Sequence, residues 1–264
     1  MREIKGFGSV PSFLFPDMTM SSKPLLAVLL FLAAASPVSR AFADGPTPFP
    51  DPQDGGAWPG QGPIRVFPYM DDNRKGFWEM RSKAQGAVVF VGDSLIAGYN
   101  VRAAFPDLPV ANRGIGGDVS RGLLFRLKED VIELSPQAVV LCIGTNDLSC
   151  HANPAVALAN VGEMIFQLTE ANPKQPIVLV SLPPRDEPNA PLKEGALQKF
   201  NDGLRELAEG KENIAVVDVF TPLADDAGKP KPELFDARKI HPNADGYAKW
   251  TELIKPALEK VMAK

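Results

Sequence analysis

The chain is poor in histidine and cysteine and has no basic surplus. There are two histidines and two cysteines in 264 residues, and 28 Lys+Arg stand against 32 Asp+Glu, a formal net charge of −4. A nucleic-acid partner is disfavoured, since phosphate neutralisation normally calls for an excess of cations. With only His151 and His241, a multi-histidine metal centre cannot be built, and chemistry needing an imidazole base must use one of the two. Cys150 and His151 are adjacent, which makes them poor joint chelators, and no phosphate-cradling loop of the GxxxxGK type occurs. A disulfide network is excluded because only Cys142 and Cys150 are available. The sequence leaves open whether those two pair, as the bridge depends on Cβ geometry.

Long apolar runs are also scarce. Pro24 to Ala35 is uninterrupted but too short for a stable membrane anchor. Ser21-Ser22-Lys23 precedes it and Ala41-Phe42-Ala43 follows, the layout of a signal peptide over residues 1–43 with cleavage after Ala43. The expectation is therefore an exported protein, periplasmic or secreted, with no stable membrane insertion after cleavage. Residues 44–63 carry six prolines and five glycines, a composition that reads as an extended tether. Residues 64–264 then form the folded domain, large enough to bury a sizeable core.

Within that domain, apolar runs of four to six residues alternate with helical patterns. The runs 87–91, 109–112, 138–143, 177–180 and 214–217 read as strands. Helices are expected over 71–85, 95–105, 119–134, 154–172, 192–209 and 244–262, the last kinked or divided at Pro256. The strand runs lack polar alternation, as in strands buried on both faces of a parallel sheet. The fold expected is a three-layer α/β/α sandwich around a central five-stranded parallel sheet, with ligands at the carboxyl ends of the strands.

Four polar or glycine-rich clusters fall on that edge: Gly92-Asp93-Ser94-Leu95, Asn112-Arg113-Gly114-Ile115-Gly116-Gly117-Asp118, Gly144-Thr145-Asn146-Asp147 and His241-Pro242-Asn243. Any one alone is an ordinary turn or helix cap. Together and in this order, from Val88 to Trp250, they resemble the SGNH/GDSL hydrolase superfamily, whose fold is flavodoxin-like. The Asn112-to-Asp118 stretch is most similar to the branch containing platelet-activating-factor acetylhydrolase subunits.

The resemblance implies a serine esterase with Ser94 as nucleophile and His241 as base. The oxyanion hole would be formed by Ser94, Gly117 and Asn146, and no metal or organic cofactor is needed. The chemistry suits those residue types: a serine hydroxyl needs an imidazole to take its proton, and the tetrahedral oxyanion needs preorganised donors. The expected substrate is a small-molecule or glycan ester, with O-acetyl groups on carbohydrate first. A lysophospholipid or thioester, acyl transfer to a sugar, and acyl-glycan binding without catalysis are the alternatives. Oligomeric state is not legible.

One position departs from the family. The orienting aspartate usually lies three residues before the histidine, where this chain has Arg238. Asp236, five residues upstream, could reach His241 through an irregular loop. Alternatively, a Ser94–His241 dyad could work without it, or the enzyme could be weakened. Asp218 reads as structural and His151 as a solvated loop residue. Arg185 and Asp186 read as a surface pair, with substrate contact as the alternative.

Overall fold

The computed structural model of the protein describes residues 45–264. The signal-peptide reading falls on residues 1–43, outside the described residues. Five strands form one all-parallel sheet: β1 (Val88–Gly92), β2 (Val110–Gly114), β3 (Ala138–Cys142), β4 (Ile177–Val180) and β5 (Ile214–Val217), in the order β2-β1-β3-β4-β5. Every residue of β1, β3 and β4 is buried, as their unbroken apolar composition requires. The outer strands β2 and β5 are only partly buried.

In chain order the α-helices are α1 (Pro68–Glu79), α2 (Ser94–Ala97), α3 (Val101–Ala104), α4 (Ser120–Asp130), α5 (Thr145–Ser149), α6 (Pro154–Ala171), α7 (Ala196–Ala208), α8 (Phe220–Leu223) and α9 (Ala244–Met262). Helices α4, α6 and α7 pack against one another as one layer, and α9 packs on β4 and β5. Tyr247 of α9 stacks on Tyr99, with centroids 5.0 Å apart, and so ties α9 to the α2–α3 stretch. This is the expected three-layer α/β/α sandwich. Strand order reverses direction at β1, so the crevice between the β1 and β3 carboxyl ends is the natural ligand site.

Several local expectations are corrected. The single helix over 95–105 is two short helices, interrupted at Gly98–Asn100, where the Asn100 side chain accepts from the Ala103 N–H at 3.3 Å and starts α3. The 192–209 helix begins only at Ala196, after Gly195 in a left-handed conformation. Of the two expectations at Pro256, division is overturned, since α9 continues through it as one helix.

The largest correction concerns the Pro/Gly-rich segment 44–63, which in its described part is docked on the domain. Phe49 and Trp58 stack at 5.6 Å and both meet Phe125 of α4; Trp58 is only 4% exposed. Arg121 of α4 donates to the carbonyl oxygens of Gly55 (2.6 Å), Pro59 (3.0 Å), Trp58 and Gly62 (both 3.3 Å). Asn160 of α6 exchanges two hydrogen bonds with the Gln61 backbone. A segment that cannot build its own ladder thus has its carbonyls satisfied by side chains of the core helices. The two cysteines are free, Cys142 buried in β3 and Cys150 exposed.

Candidate active site

Three of the four clusters named from the sequence lie at the carboxyl ends of β1, β2 and β3, and the fourth lies just before α9. β1 ends at Gly92, where an added Cβ would lie 1.9 Å from the Cys142 carbonyl oxygen, so only glycine allows the strand to pass there. Asp93 then caps α2, its Oδ1 accepting from the Leu95 N–H at 2.9 Å, and Ser94 opens that helix. The β2 loop turns at Gly117, φ +78°, a conformation that favours glycine. An added Cβ at Gly116 would stand 3.9 Å from Ser94 Cβ, a measure of how closely the two loops approach. After β3, Asn146 lies in α5, and its Nδ2 donates to the Asp118 carbonyl oxygen at 2.9 Å.

His241 comes to Ser94 from the loop before α9, with Nε2 2.8 Å from Oγ. Its Nδ1 lies 3.3 Å from Asp236 Oδ2. Among the three readings left open at this position, the contact is the one with Asp236. The loop explains the unusual spacing. Phe235 and Pro242 form an antiparallel bridge, the Asp236 N–H donates to the His241 carbonyl (2.8 Å) and the Lys239 N–H to the Asp236 carbonyl (2.9 Å), with Lys239 at φ +55°. A turn of this kind folds residues 237–240 out of the path and brings position 236 back beside the ring. Arg238 sits on the outside of the turn, 69% exposed, paired with Glu187 at 3.1 Å.

Burial alone would raise the Asp236 carboxyl. Donation from the Ile240 and His241 N–H groups, together with the His241 ring, instead holds it below the usual carboxylate range. Asp236 is therefore ionised at neutral pH and can orient an imidazole.

Beneath the site lies a buried polar layer. Arg126 of α4 donates to Asp118 Oδ2 (2.8 Å), the Arg113 carbonyl (2.9 Å), the Gly92 carbonyl (3.0 Å) and Asp130 (3.2 Å). Asp147 accepts from the Ser120 N–H and hydroxyl. Asp93 is wholly buried and its Oδ2 has no hydrogen-bond partner; burial, with Asp118 and Asp147 adding to it, pushes its carboxyl up to about 7 against the Leu95 N–H bond. The folded chain thus binds a proton there that the unfolded chain releases near its ordinary 3.8. That contribution to stability is full below the unfolded value and lost as pH rises through about 7. Asp93→Asn, which keeps the Oδ1 cap, should flatten the decline in melting temperature between about pH 4 and 7. An unaltered slope in thermal melts would rule this assignment out.

Sequence reasoning missed the segment that leads into and opens α1. Phe67 and Tyr69 stack at 5.5 Å over the β2 loop; an added Cβ at Gly117 would meet Phe67 Cε2 at 3.0 Å, and the Tyr69 hydroxyl donates to the Gly116 carbonyl at 3.0 Å. Arg65 Nη1 donates to Asn146 Oδ1 at 3.2 Å. Arg65-Val66-Phe67-Pro68-Tyr69 alternates in the manner of extended chain, but no spacing ties it to the site.

Arg185 and Asp186 do not pair. Arg185 donates to Ser149 Oγ (2.6 Å) and Thr145 Oγ1 (3.1 Å), bracing α5, whereas Asp186 faces Lys229 and Lys239. Asp218 accepts from the Phe220 and Thr221 N–H groups and orders its loop, as expected. His151 occupies an exposed turn at φ +56°.

A serine, an imidazole and a carboxylate in contact at the carboxyl edge of a parallel sheet are the arrangement of a serine hydrolase. Residues 90–249 match the GDSL-like lipase/acylhydrolase family, and the chain belongs to it. It is 33% identical over 182 residues to the platelet-activating factor acetylhydrolase IB subunit alpha2 of Homo sapiens, covering 66% of this chain and 76% of that protein. The alpha1 subunit of the same species is 32% identical over 158 residues, covering 58% of this chain and 62% of that protein. A GDSL-like lipase from Bacteroides thetaiotaomicron superposes with a TM-score of 0.60 at 30% identity, covering 68% of this chain and 90% of that one.

Proposed function

We propose that the protein is an exported serine esterase that hydrolyses short-chain carboxylic esters through an acyl-enzyme on Ser94. The observation that carries this is the chain of contacts from Ser94 Oγ to His241 Nε2, 2.8 Å, and from His241 Nδ1 to Asp236 Oδ2, 3.3 Å. Ser94 Oγ attacks the acyl carbon while its proton passes to Nε2, and Asp236 holds the ring with its Nδ1 proton inward. The imidazolium returns the proton to the leaving alcohol. Water, deprotonated by the same nitrogen, then attacks the acyl-enzyme and frees the acid and Ser94.

The oxyanion that forms twice is received by the N–H groups of Ser94 and Gly117 and by Asn146 Nδ2. The Asp236 contact speaks against a non-catalytic binding role, since it supplies the carboxylate that Arg238 left in question. A short acyl group is supported by the Phe67–Tyr69 pair crowding the Gly117 side, and by the acetylhydrolase relatives. Acetyl esters on carbohydrate are the first substrate to try.

Purified protein should turn over p-nitrophenyl acetate, with kcat/KM falling as the acyl chain lengthens to decanoate. A fluorophosphonate should attach to Ser94, as read by peptide mass spectrometry. No adduct at Ser94, or a rate rising with chain length, would count against the esterase and the short-chain readings respectively. Expression with the leader should yield an N-terminus at Asp44; retention of residues 1–43 would argue against export by cleavage.

A further inference from the structure

The side-chain amide of Asn146 is gripped by two partners of opposite character. Nδ2 donates to the Asp118 carbonyl at 2.9 Å, while Oδ1 accepts from Arg65 Nη1 at 3.2 Å. A carbonyl oxygen can only accept and a guanidinium can only donate. Turning the amide by 180° would therefore set oxygen against oxygen and N–H against N–H. With one Nδ2 hydrogen committed to Asp118, the second is the one available to a substrate. Among the described residues, the hydrogen bond to Oδ1 comes from Arg65, which belongs to none of the strand-end loops.

Arg65 is itself held in place. Its guanidinium lies 5.2 Å from the Phe67 ring centroid, Phe67 stacks on Tyr69 at an interplanar angle of 11°, and the Tyr69 hydroxyl closes on the Gly116 carbonyl. The ladder runs from the β3 loop to the β2 loop and spans the two sides of the oxyanion pocket. Upstream, the four carbonyl contacts of Arg121 anchor the chain that delivers it.

The geometry points to Arg65 as a positioning residue for ester hydrolysis: it locks the Asn146 amide with Nδ2 toward the reacting carbonyl, and its charge polarises that amide. The assignment rests on the reading of Asn146 as an oxyanion donor. It also gives the docked Pro/Gly-rich segment a function, since without that docking the guanidinium would not be delivered to Oδ1. Preorganised donors are effective because they need not reorient as charge develops, and a donor free to rotate loses much of that advantage.

The test is a double-mutant cycle in the full-length protein with p-nitrophenyl acetate. Asn146→Ala should lower kcat ~100-fold or more, as for loss of one oxyanion donor. Arg65→Met, which keeps the aliphatic stem and removes donor and charge, should lower kcat about 10- to 100-fold, with KM within about threefold. The double variant should be no slower than Asn146→Ala, because Arg65 would act through an amide no longer present. Arg65→Lys, which keeps a charged donor without the fork, should recover part of the loss and guards against a failure of the methionine variant to fold.

If the two losses multiply, Arg65 acts independently of Asn146 and the positioning role is wrong. If Asn146→Ala is slow and Arg65→Met is not, the positioning role fails while the oxyanion reading stands. If Asn146→Ala is as fast as wild type, the oxyanion reading itself fails and takes the positioning role with it.

Discussion

Replacing Asp236 by Asn should lower kcat by about 10³- to 10⁴-fold with little change in KM. The asparagine keeps an oxygen for the Ile240 and His241 N–H groups, so the loop survives, but it offers the ring an N–H where an acceptor is needed. The imidazole would then be held with Nε2 protonated, unable to take the Ser94 proton. The Nδ1–Oδ2 separation of 3.3 Å is on the long side and the pair is partly open to solvent, which favours the lower end of that range.

Arg238 supplies the contrast. Its guanidinium points to Glu187 and away from the ring, so Arg238→Ala should leave kcat within about threefold. Arg238→Asp, which puts a carboxylate at the family's usual position, should not raise activity, because the turn carries that position outward and toward Glu187. Steady-state kinetics on the three variants decides the matter. An Asp236→Asn enzyme within tenfold of wild type, or an accelerated Arg238→Asp enzyme, would mean that the acid has been misassigned.

Replacing Arg126 by Met should destabilise the fold by about 3–5 kcal/mol, and for a chain of this size lower the melting temperature by roughly 10 °C or more. A buried ion pair is weak evidence of net stabilisation, because desolvation offsets attraction, but removing one partner strands the other. Here Arg126 is wholly buried, and its loss would leave Asp118 with a backbone N–H as its remaining donor, take a donor from the Arg113 carbonyl and leave the Gly92 carbonyl with the Ile115 N–H alone. Burial already pushes the Asp118 carboxyl up against the pull of Arg126, so without the guanidinium it should take up a proton in the folded state.

Arg126→Lys should recover little, because one ammonium cannot serve the two carbonyls and two carboxylates that the forked guanidinium reaches. Denaturant titration should show the shift in midpoint at an unchanged slope. A loss below about 1 kcal/mol would show that the layer relaxes or hydrates around the gap. Because Gly92 ends β1 and Arg113 is the penultimate residue of β2, the strands that lead to Ser94 and Gly117, the variant should also be slower.

The strands were legible because burial on both faces leaves an unambiguous mark: Val88 to Val91 or Ile177 to Val180 can hardly be anything but the middle of a parallel sheet. The four clusters were legible for a related reason, since such a sheet gathers its strand-end loops on one edge. Helix limits were less so. The break at Gly98–Asn100 depends on an Asn100 side chain competing for the backbone, and pattern alone does not show that competition.

The composition of 44–63 implied a free tether without regular structure; among its described residues it forms one 3-10 turn, Gly55–Ala57, and is docked. The docking partners, Arg121, Phe125 and Asn160, lie some 60 to 100 residues away in the chain. Arg65 was invisible for the same reason: its contact with Asn146 spans 81 residues, and no local signal marks it.

The sequence by itself determined the sheet and the edge on which chemistry occurs, and its ordered motifs carried the family resemblance that singled out Ser94, Gly117, Asn146 and His241. The first two follow from local composition, the four residues from that resemblance. Only the tertiary structure decided which carboxylate faces His241, that Arg238 turns outward, and that the Pro/Gly-rich segment packs down to bring Arg65 to Asn146. Those outcomes depend on where a turn aims a side chain to within about an ångström and on pairings between distant parts of the chain. Hydrophobic periodicity carries no information about either.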